Sequence, residues 1–405
     1  MFAYIHRHFD LQVGISSLLL AIVGAISIYS ATFDAKAMGI FNRQVIWLLS
    51  GTALVVIIAF IPLRLLQSLS WAAYFFSIFL LVSVLLFGKT VSGSTSWFNL
   101  GAFRIQPSEF AKIATVLALA SYLSRIDISL RIPRHFLTAC GIVGIPIVLI
   151  LMQPDFGTTV IYAGMFLTLL FWGGAPRFTL IAIVAPVASA VAALFGTTFF
   201  LIVIAVFGVL LYVTKEHRLL AAVAFSVMVL FGISVQVIYD GLRPYQQKRI
   251  ESFLNPNADP LGAGYNSLQS KVAIGSGGVF GKGYLRGSQT QLNFIPEQWT
   301  DFIFCVPGEE FGFVGAGLVL ALFAVLLVRG VTLASIVKSR YASFVAIGLT
   351  ALIATHVFLN IGMALGLLPV IGVPLPFLSY GSSFLITSTI MIGILMNLYT
   401  NRKEY

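Results

Sequence analysis

LQVGISSLLLAIVGAISIYSA, residues 11–31, runs for 21 positions without a charged residue. A helix of about 20 apolar residues crosses the roughly 30 Å of hydrocarbon in a bilayer. The stretch is longer than the ~7–15 apolar residues of a secretion signal and lacks a clear small-x-small cleavage site, so it reads as a retained first span. Comparable runs fall at about 11–32, 44–61, 70–88, 108–124, 135–152, 156–174, 178–195, 197–213, 219–239, 302–328, 342–364 and 380–399, twelve in all. The boundaries from the sixth to the eighth are weakly marked, by Trp172-Gly-Gly-Ala-Pro-Arg177 and Gly196-Thr-Thr198.

Composition agrees with this pattern. The 405-residue chain is 59% apolar and 9% charged, with a mean hydropathy of +0.99, whereas soluble domains are about 45–50% apolar. It is expected to be an all-α polytopic membrane protein of about 12 spans, forming one membrane domain over residues 1–405. A net charge of +10 would point to nucleic acid in a soluble protein; here the basic residues sit between apolar runs, where they set orientation. Cys140 and Cys305 lie in apolar runs without ligand spacing and read as small buried hydrophobes.

With the N-terminus inside, thirteen Lys and Arg residues fall in cytoplasmic segments, among them Arg64, Arg125, Arg177 and Lys338. The opposite short loops hold only Lys36, Arg43, Lys89 and Arg104. This bias predicts cytoplasmic termini and places the long loop 240–301 outside the cytoplasm. The turns holding Trp97, Asp155 and Pro374 share that face.

Polar segments are conspicuous in such a chain. In Gln106-Pro-Ser-Glu-Phe-Ala-Lys112 a proline opens a helix, and Glu109 and Lys112, three apart, share one face. They form either a plain intrahelical ion pair or a substrate contact. Asp155, in Gln153-Pro-Asp-Phe-Gly157, is a helix cap or a functional carboxylate. Ser379-Tyr-Gly-Ser-Ser383 opens the last span with hydroxyls and N–H groups that suit a pyrophosphate, or that simply cap the helix. His356 and Asn360, four apart, read best as an interhelical hydrogen-bonding pair. In the long loop, Asp259 precedes Pro260 in a bend, and Gly275-Ser-Gly-Gly278 and Gly281-Lys-Gly283 offer flexible backbone to phosphate oxygens.

Taken in order, these segments, together with Asp259-Pro-Leu-Gly-Ala-Gly-Tyr265, Thr300-Asp-Phe-Ile-Phe304, Asn360-Ile-Gly-Met363 and Gly372-Val-Pro-Leu-Pro-Phe-Leu-Ser-Tyr-Gly381, resemble the SEDS family (shape, elongation, division and sporulation). Gln289-Thr-Gln-Leu-Asn-Phe-Ile-Pro-Glu297 tilts the match toward its elongation members over the division-specific ones. The family typically has ten spans, which implies an extra helical hairpin between Phe156 and Tyr239; Ser382 stands where the family motif has a second glycine.

The resemblance implies a peptidoglycan glycosyltransferase that polymerises lipid II during cell elongation and releases undecaprenyl pyrophosphate. Asp259 matches the family's essential loop carboxylate and is expected to be the general base. Lys112, Arg43 and Arg249, with Lys271, are the expected contacts to the pyrophosphate, joined by Glu109, Asp155, Ser379 and Tyr380. Metal dependence, on Mg or Mn, is implied too, with Glu109 and Asp155 either orienting those basic side chains or holding a divalent ion, although no ligand cluster in the sequence fixes it. The implied partners are a class B penicillin-binding protein and the elongation machinery, in the cytoplasmic membrane. Rival readings are a lipid II flippase, a noncatalytic scaffold, and a polymerase or ligase of another polyprenyl-linked glycan.

Overall fold

A computed structural model of the chain describes residues 9–35, 37–91, 94–100, 103–214, 218–242, 244–255, 264–296 and 298–403. In chain order the first helices are α1 (Leu11–Phe33), α2 (Met38–Ala59) and α3 (Leu63–Phe87), followed by strands β1 (Lys89–Val91), β2 (Ser94–Leu100) and β3 (Phe103–Ile105). Then come α4 (Pro107–Leu123), α5 (Pro133–Met152), α6 (Phe156–Trp172), α7 (Arg177–Leu194), α8 (Thr197–Val213) and α9 (Arg218–Ile233). Short α10 (Val235–Asp240), α11 (Pro244–Leu254), α12 (Tyr265–Ser276), α13 (Ser288–Gln291) and α14 (Cys305–Glu310) lead to α15 (Gly312–Ile336), α16 (Arg340–Ala364) and α17 (Ser382–Thr400).

Every one of the twelve apolar runs falls on helix. Among the described residues, eight helices are long and apolar enough to cross a membrane: α1, α2, α3, α5, α7, α15, α16 and α17; α6, α8 and α9 are shorter apolar helices. Helices suit hydrocarbon because each satisfies its backbone hydrogen bonds internally. The chain is an integral membrane protein.

By packing, the chain falls into two compact units, Met1–Ile128 with Leu137–Leu169 and Tyr265–Tyr405, and Ser129–Phe136 with Leu170–Gly264. In the second unit, α7, α8 and α9 pack on one another in the stretch where the extra hairpin is expected. The Ser189 hydroxyl donates to the Met228 carbonyl at 2.7 Å across α7 and α9, and Phe195 meets Phe253 of α11 edge-on.

The first unit is layered by burial. α4 and α16 are buried along nearly their whole length and α17 along most of it, whereas α2 buries only Gln44, Gly51, Ile58 and Ala59. Helices with an exposed apolar face suit lipid; buried ones must solve their polar groups within the protein. α4 packs on α3 and α16, α17 on α2, and α15 on α1 and α16. Asn397 of α17 donates to the Ile58 carbonyl at the end of α2 at 3.0 Å, a polar tie between helices.

The β meander was not foreseen. β1, β2 and β3 pair antiparallel in that order, with Lys89 opposite Trp97 and Asn99 opposite Arg104. The Gln153 carbonyl accepts from Thr95 N and from the Ser94 hydroxyl, tying the meander to the turn before α6. The cysteines are unpaired thiols, and Cys140 is only half-buried rather than buried as expected.

α1 touches the turn before α17 closely: a Cβ on Gly24 would lie 2.4 Å from the Phe377 carbonyl oxygen and 2.7 Å from Leu378 Cα. Backbone cannot yield as a side-chain tip can. Gly24→Ala is therefore expected to cost about 1–3 kcal/mol, as overpacking does, read as a lower thermal unfolding midpoint in detergent.

Candidate functional site

The polar core of the first unit is assembled at the start of α4. Gln106 takes extended backbone (φ −106°, ψ 106°) as the N-cap, and Pro107 fills the first turn, where a missing N–H costs nothing. The three-residue spacing then puts Lys112 Nζ 2.9 Å from Glu109 Oε2 with both side chains at least 94% buried. Buried charge of this kind survives only if paired and hydrogen-bonded.

The pairing extends to the neighbouring helices. Lys112 Nζ lies 2.8 Å from Nε2 of His356 on α16, and His356 Nδ1 lies 3.1 Å from the Pro374 carbonyl oxygen. Thr387 of α17 donates to Glu109 Oε2 at 3.5 Å. The Phe384 ring packs against both the Lys112 ammonium and the His356 ring, with centroid distances of 5.8 and 4.9 Å.

Gln106 reaches in another direction, donating from Nε2 to Asp155 Oδ2 at 2.9 Å. Asp155 caps α6, accepting from Thr158 N at 3.0 Å and from the Thr158 hydroxyl at 2.8 Å. The Ser382 and Ser383 hydroxyls donate to the Arg104 carbonyl at 3.1 and 2.8 Å. Segments 94–106, 153–158 and 374–383 are thus joined by hydrogen bonds, and the hydroxyl of Ser382 serves to bind the meander.

The other expected site residues are more scattered. Ser379 is buried, and its hydroxyl is used by the scaffold: it donates to the Thr300 carbonyl at 2.6 Å and accepts from Leu375 N at 2.7 Å. Tyr380 N donates to the Trp299 carbonyl at 2.8 Å, with the side chain half-buried. Arg43 is exposed on α2, beside Gln44, whose amide reaches the Ser379 carbonyl at 3.4 Å. Lys271 is exposed on α12 with its stem over Gly366. Arg249 lies on α11, in the second unit. Asp259 lies outside the described residues.

His356 and Asn360 do share a face of α16, but each holds loop backbone rather than a helix. Asn360 Nδ2 donates to the Asp301 carbonyl at 2.8 Å and to the Val373 carbonyl at 2.7 Å. With His356 on Pro374, two consecutive carbonyls of one loop are fixed by residues one helical turn apart.

The glycine-rich segment expected to meet phosphate oxygens has a different use. Lys282 N and Gly283 N donate to the Glu309 and Glu310 carbonyls at 3.1 and 3.0 Å, while Phe313 N and Val314 N donate to the Gly278 and Val279 carbonyls at 2.9 and 3.1 Å. At Gly281 (φ +82°) a Cβ would lie 2.1 Å from the Glu310 oxygen. Close approach is required, but by backbone and not by an anion.

This clamp holds two buried acids that the sequence reading passed over, although ionisable residues in an apolar run were the available signal. Glu309 pairs with Lys282 at 2.7 Å and accepts from Gln289 N, Thr290 N and the Thr290 hydroxyl at 2.8–2.9 Å. Burial raises its pKa, but Lys282 and these N–H and hydroxyl donors together outweigh that and leave it lowered. Glu310 accepts from the Ser30 hydroxyl at 2.5 Å and from Gln291 Nε2 at 3.2 Å; burial pushes its pKa up.

Among the described residues no group of three or more His, Cys, Asp and Glu is placed to hold a metal ion. Glu109 Oε2 is taken by Lys112, and both Asp155 oxygens accept from Gln106 or Thr158. These donors do not fit the expected Mg or Mn site, and no step is assigned to a metal.

Two measurements follow from these buried charges. Removing one partner, as in Glu109→Gln, should cost about 3–5 kcal/mol by stranding the other charge, while the Glu109→Gln/Lys112→Met double variant should recover much of it in a double-mutant cycle. For Glu310, the raised folded pKa means its stabilising contribution is fully present below the unfolded value and is lost as pH rises through the folded value. Glu310→Gln should therefore flatten the fall in unfolding midpoint with rising pH.

Comparison with known proteins places this geometry. The family model FtsW/RodA/SpoVE, described as cell cycle protein, matches residues 11–199 and 194–404. The chain is 36% identical to peptidoglycan glycosyltransferase MrdB of Escherichia coli K12, covering 98% of this chain and 95% of that protein. It is 34% identical to peptidoglycan glycosyltransferase RodA of Treponema pallidum, with 96% and 97% covered, and 37% identical to stage V sporulation protein E of Bacillus subtilis, with 96% of each covered. Among solved structures it superposes on a chain of a peptidoglycan synthase complex that coordinates polymerization and crosslinking, with a TM-score of 0.75, 27% identity, and 98% and 99% of the chains covered. Against a mutant form of the rod shape determining protein RodA of Thermus thermophilus the TM-score is 0.66 at 25% identity, again with 98% and 99% covered.

Proposed function

Because the chain belongs to the FtsW/RodA/SpoVE family of cell-cycle membrane proteins, we propose that it polymerises lipid II into glycan strands, with Asp259 as general base and Lys112 facing the departing pyrophosphate. It is a peptidoglycan glycosyltransferase. The observation that carries the reading is the buried Lys112 ammonium at the start of α4, in a chain whose full length aligns with enzymes of that name.

The reaction joins the 4-hydroxyl of an acceptor sugar to the anomeric carbon of a lipid-linked donor. A bond forms from the acceptor oxygen to that carbon, the bond from carbon to pyrophosphate breaks, and undecaprenyl pyrophosphate leaves with its electron pair. An α-linked donor giving a β-linked glycan requires inversion, with attack on the face opposite the leaving group. Asp259 takes the hydroxyl proton, a contribution worth about 10²–10⁴ in rate.

Negative charge grows on the pyrophosphate as its bond breaks, so a preorganised cation there lowers the barrier. An ammonium has three N–H groups and no lone pair. Lys112 directs two at Glu109 and His356, which leaves one for a phosphate oxygen. Arg43, Arg249 and Lys271 supply further positive charge to the diphosphate, while Asp155 holds Gln106 at the N-cap of α4. Ser379 and Tyr380 act by holding the loop before α17 in register.

Basic residues concentrate in one set of loops, which supports cytoplasmic termini and an extracytoplasmic position for residues 240–301 and the start of α4. The likeness to a chain of a synthase complex that couples polymerization to crosslinking supports a class B penicillin-binding protein as partner, within the elongation machinery.

Asp259→Asn removes basicity at nearly constant shape. With full-length protein, its partner and lipid II, glycan polymerisation should fall by about 10²–10⁴ while thermal unfolding stays unchanged. A scaffold would show no change in strand length, and a flippase would lose lipid II translocation in liposomes instead.

A further inference from the structure

His356 is 1% exposed and sits within a spanning helix, α16. Its two ring nitrogens face partners of opposite character. Nε2 is 2.8 Å from Lys112 Nζ, which as an ammonium only donates; Nδ1 is 3.1 Å from the Pro374 carbonyl oxygen, which only accepts. One protonation state satisfies both: a neutral ring with its proton on Nδ1 and its lone pair on Nε2. The reverse tautomer would set an N–H against an ammonium and a lone pair against a carbonyl. A doubly protonated ring would set two cations 2.8 Å apart in an apolar bundle.

Resting on the glycosyltransferase reading above, we propose that His356 is a positioning residue for Lys112. It accepts one ammonium N–H at Nε2, and its tautomer is locked by the bond from Nδ1 to Pro374. Glu109 takes a second N–H at 2.9 Å, so the two acceptors fix the direction of the third. The ring is itself held by Phe384, 4.9 Å away between centroids, and by the helix position that lets Asn360 take the adjacent Val373 carbonyl. The orientation of the catalytic cation is thereby tied to the loop Val373–Pro374, so a shift of that loop turns the lysine. Positioning of this kind acts on the transition state more than on binding, because the charge that Lys112 meets develops as the bond to pyrophosphate breaks.

Three variants and one spectrum test this in the full-length protein. His356→Leu removes the acceptor and should lower kcat for lipid II polymerisation by about 10- to 100-fold, the range expected for losing a hydrogen bond to a charged group, with KM little changed. His356→Gln returns an amide oxygen to the same region and should recover most of that loss. Equal kcat in His356→Leu and the wild type, per folded molecule, would overturn the proposal, as would His356→Gln being as impaired as His356→Leu when both unfold at the wild-type temperature. Independently of activity, protein labelled with 15N-histidine should give, at neutral pH, a signal set of the neutral Nδ1-protonated tautomer that His356→Gln removes. A ring protonated at Nε2, or at both nitrogens, would sink the idea. Lys112→Met separates the two failures: if it polymerises normally, the assigned role of Lys112 is wrong whatever the spectrum shows of His356.

Discussion

A lysine ammonium in an apolar bundle is the constraint around which the first unit is arranged. Removed from water, it needs a counter-charge and acceptors for its N–H groups, and hydrocarbon supplies neither. Glu109 supplies the charge from the same helix at 2.9 Å, and His356 supplies a lone pair from α16. For both to reach it, α4 must lie inside the bundle against α16, and its first turn must be fixed by Pro107 and by Gln106 holding Asp155. The central position of α4 and the polar cluster at its start are one feature of the fold.

The loops are held by the same logic in a different form. Carbonyl oxygens of Thr300, Asp301, Val373 and Pro374, which would be costly to leave dry and unpaired, are taken by Ser379, Asn360 and His356. Elsewhere in the same unit, Glu309 gathers Lys282 and the start of α13, and the backbone of residues 278–283 closes over the turn that leads into α15. Pairings of this kind rigidify the scaffold, because breaking one strands a buried donor or acceptor. The hydroxyl of Ser379 belongs to this class, donating to the Thr300 carbonyl and accepting from Leu375 N.

Much of this was legible in the chain. The apolar runs gave the helices, since each was read from its own residues, and the spacing in Gln106–Lys112 gave the ion pair on one face of α4. The meander at 89–105 escaped because two of its strands have only three residues and the seven of Ser94–Leu100 do not alternate polar with apolar, while its anchor, Gln153, lies 58 positions from Thr95. The glycines at 275–283 are read from the sequence as flexible backbone for phosphate oxygens, but a glycine admits a phosphate or a backbone equally well. Only the path of the chain shows that the Glu310 carbonyl fills the space at Gly281.

By itself the sequence determined that this is a membrane protein of many helices, where those helices lie, which polar segments break them, and, through its motifs, the family. Those properties are sums of local terms, such as the transfer of each side chain from water to hydrocarbon and the fixed angular step of a helix. What the tertiary structure alone decided is which polar group answers which. His356 and Lys112 are 244 residues apart, and so distant a pair is brought into hydrogen-bonding range by the packing of whole helices, a property that no window of sequence contains.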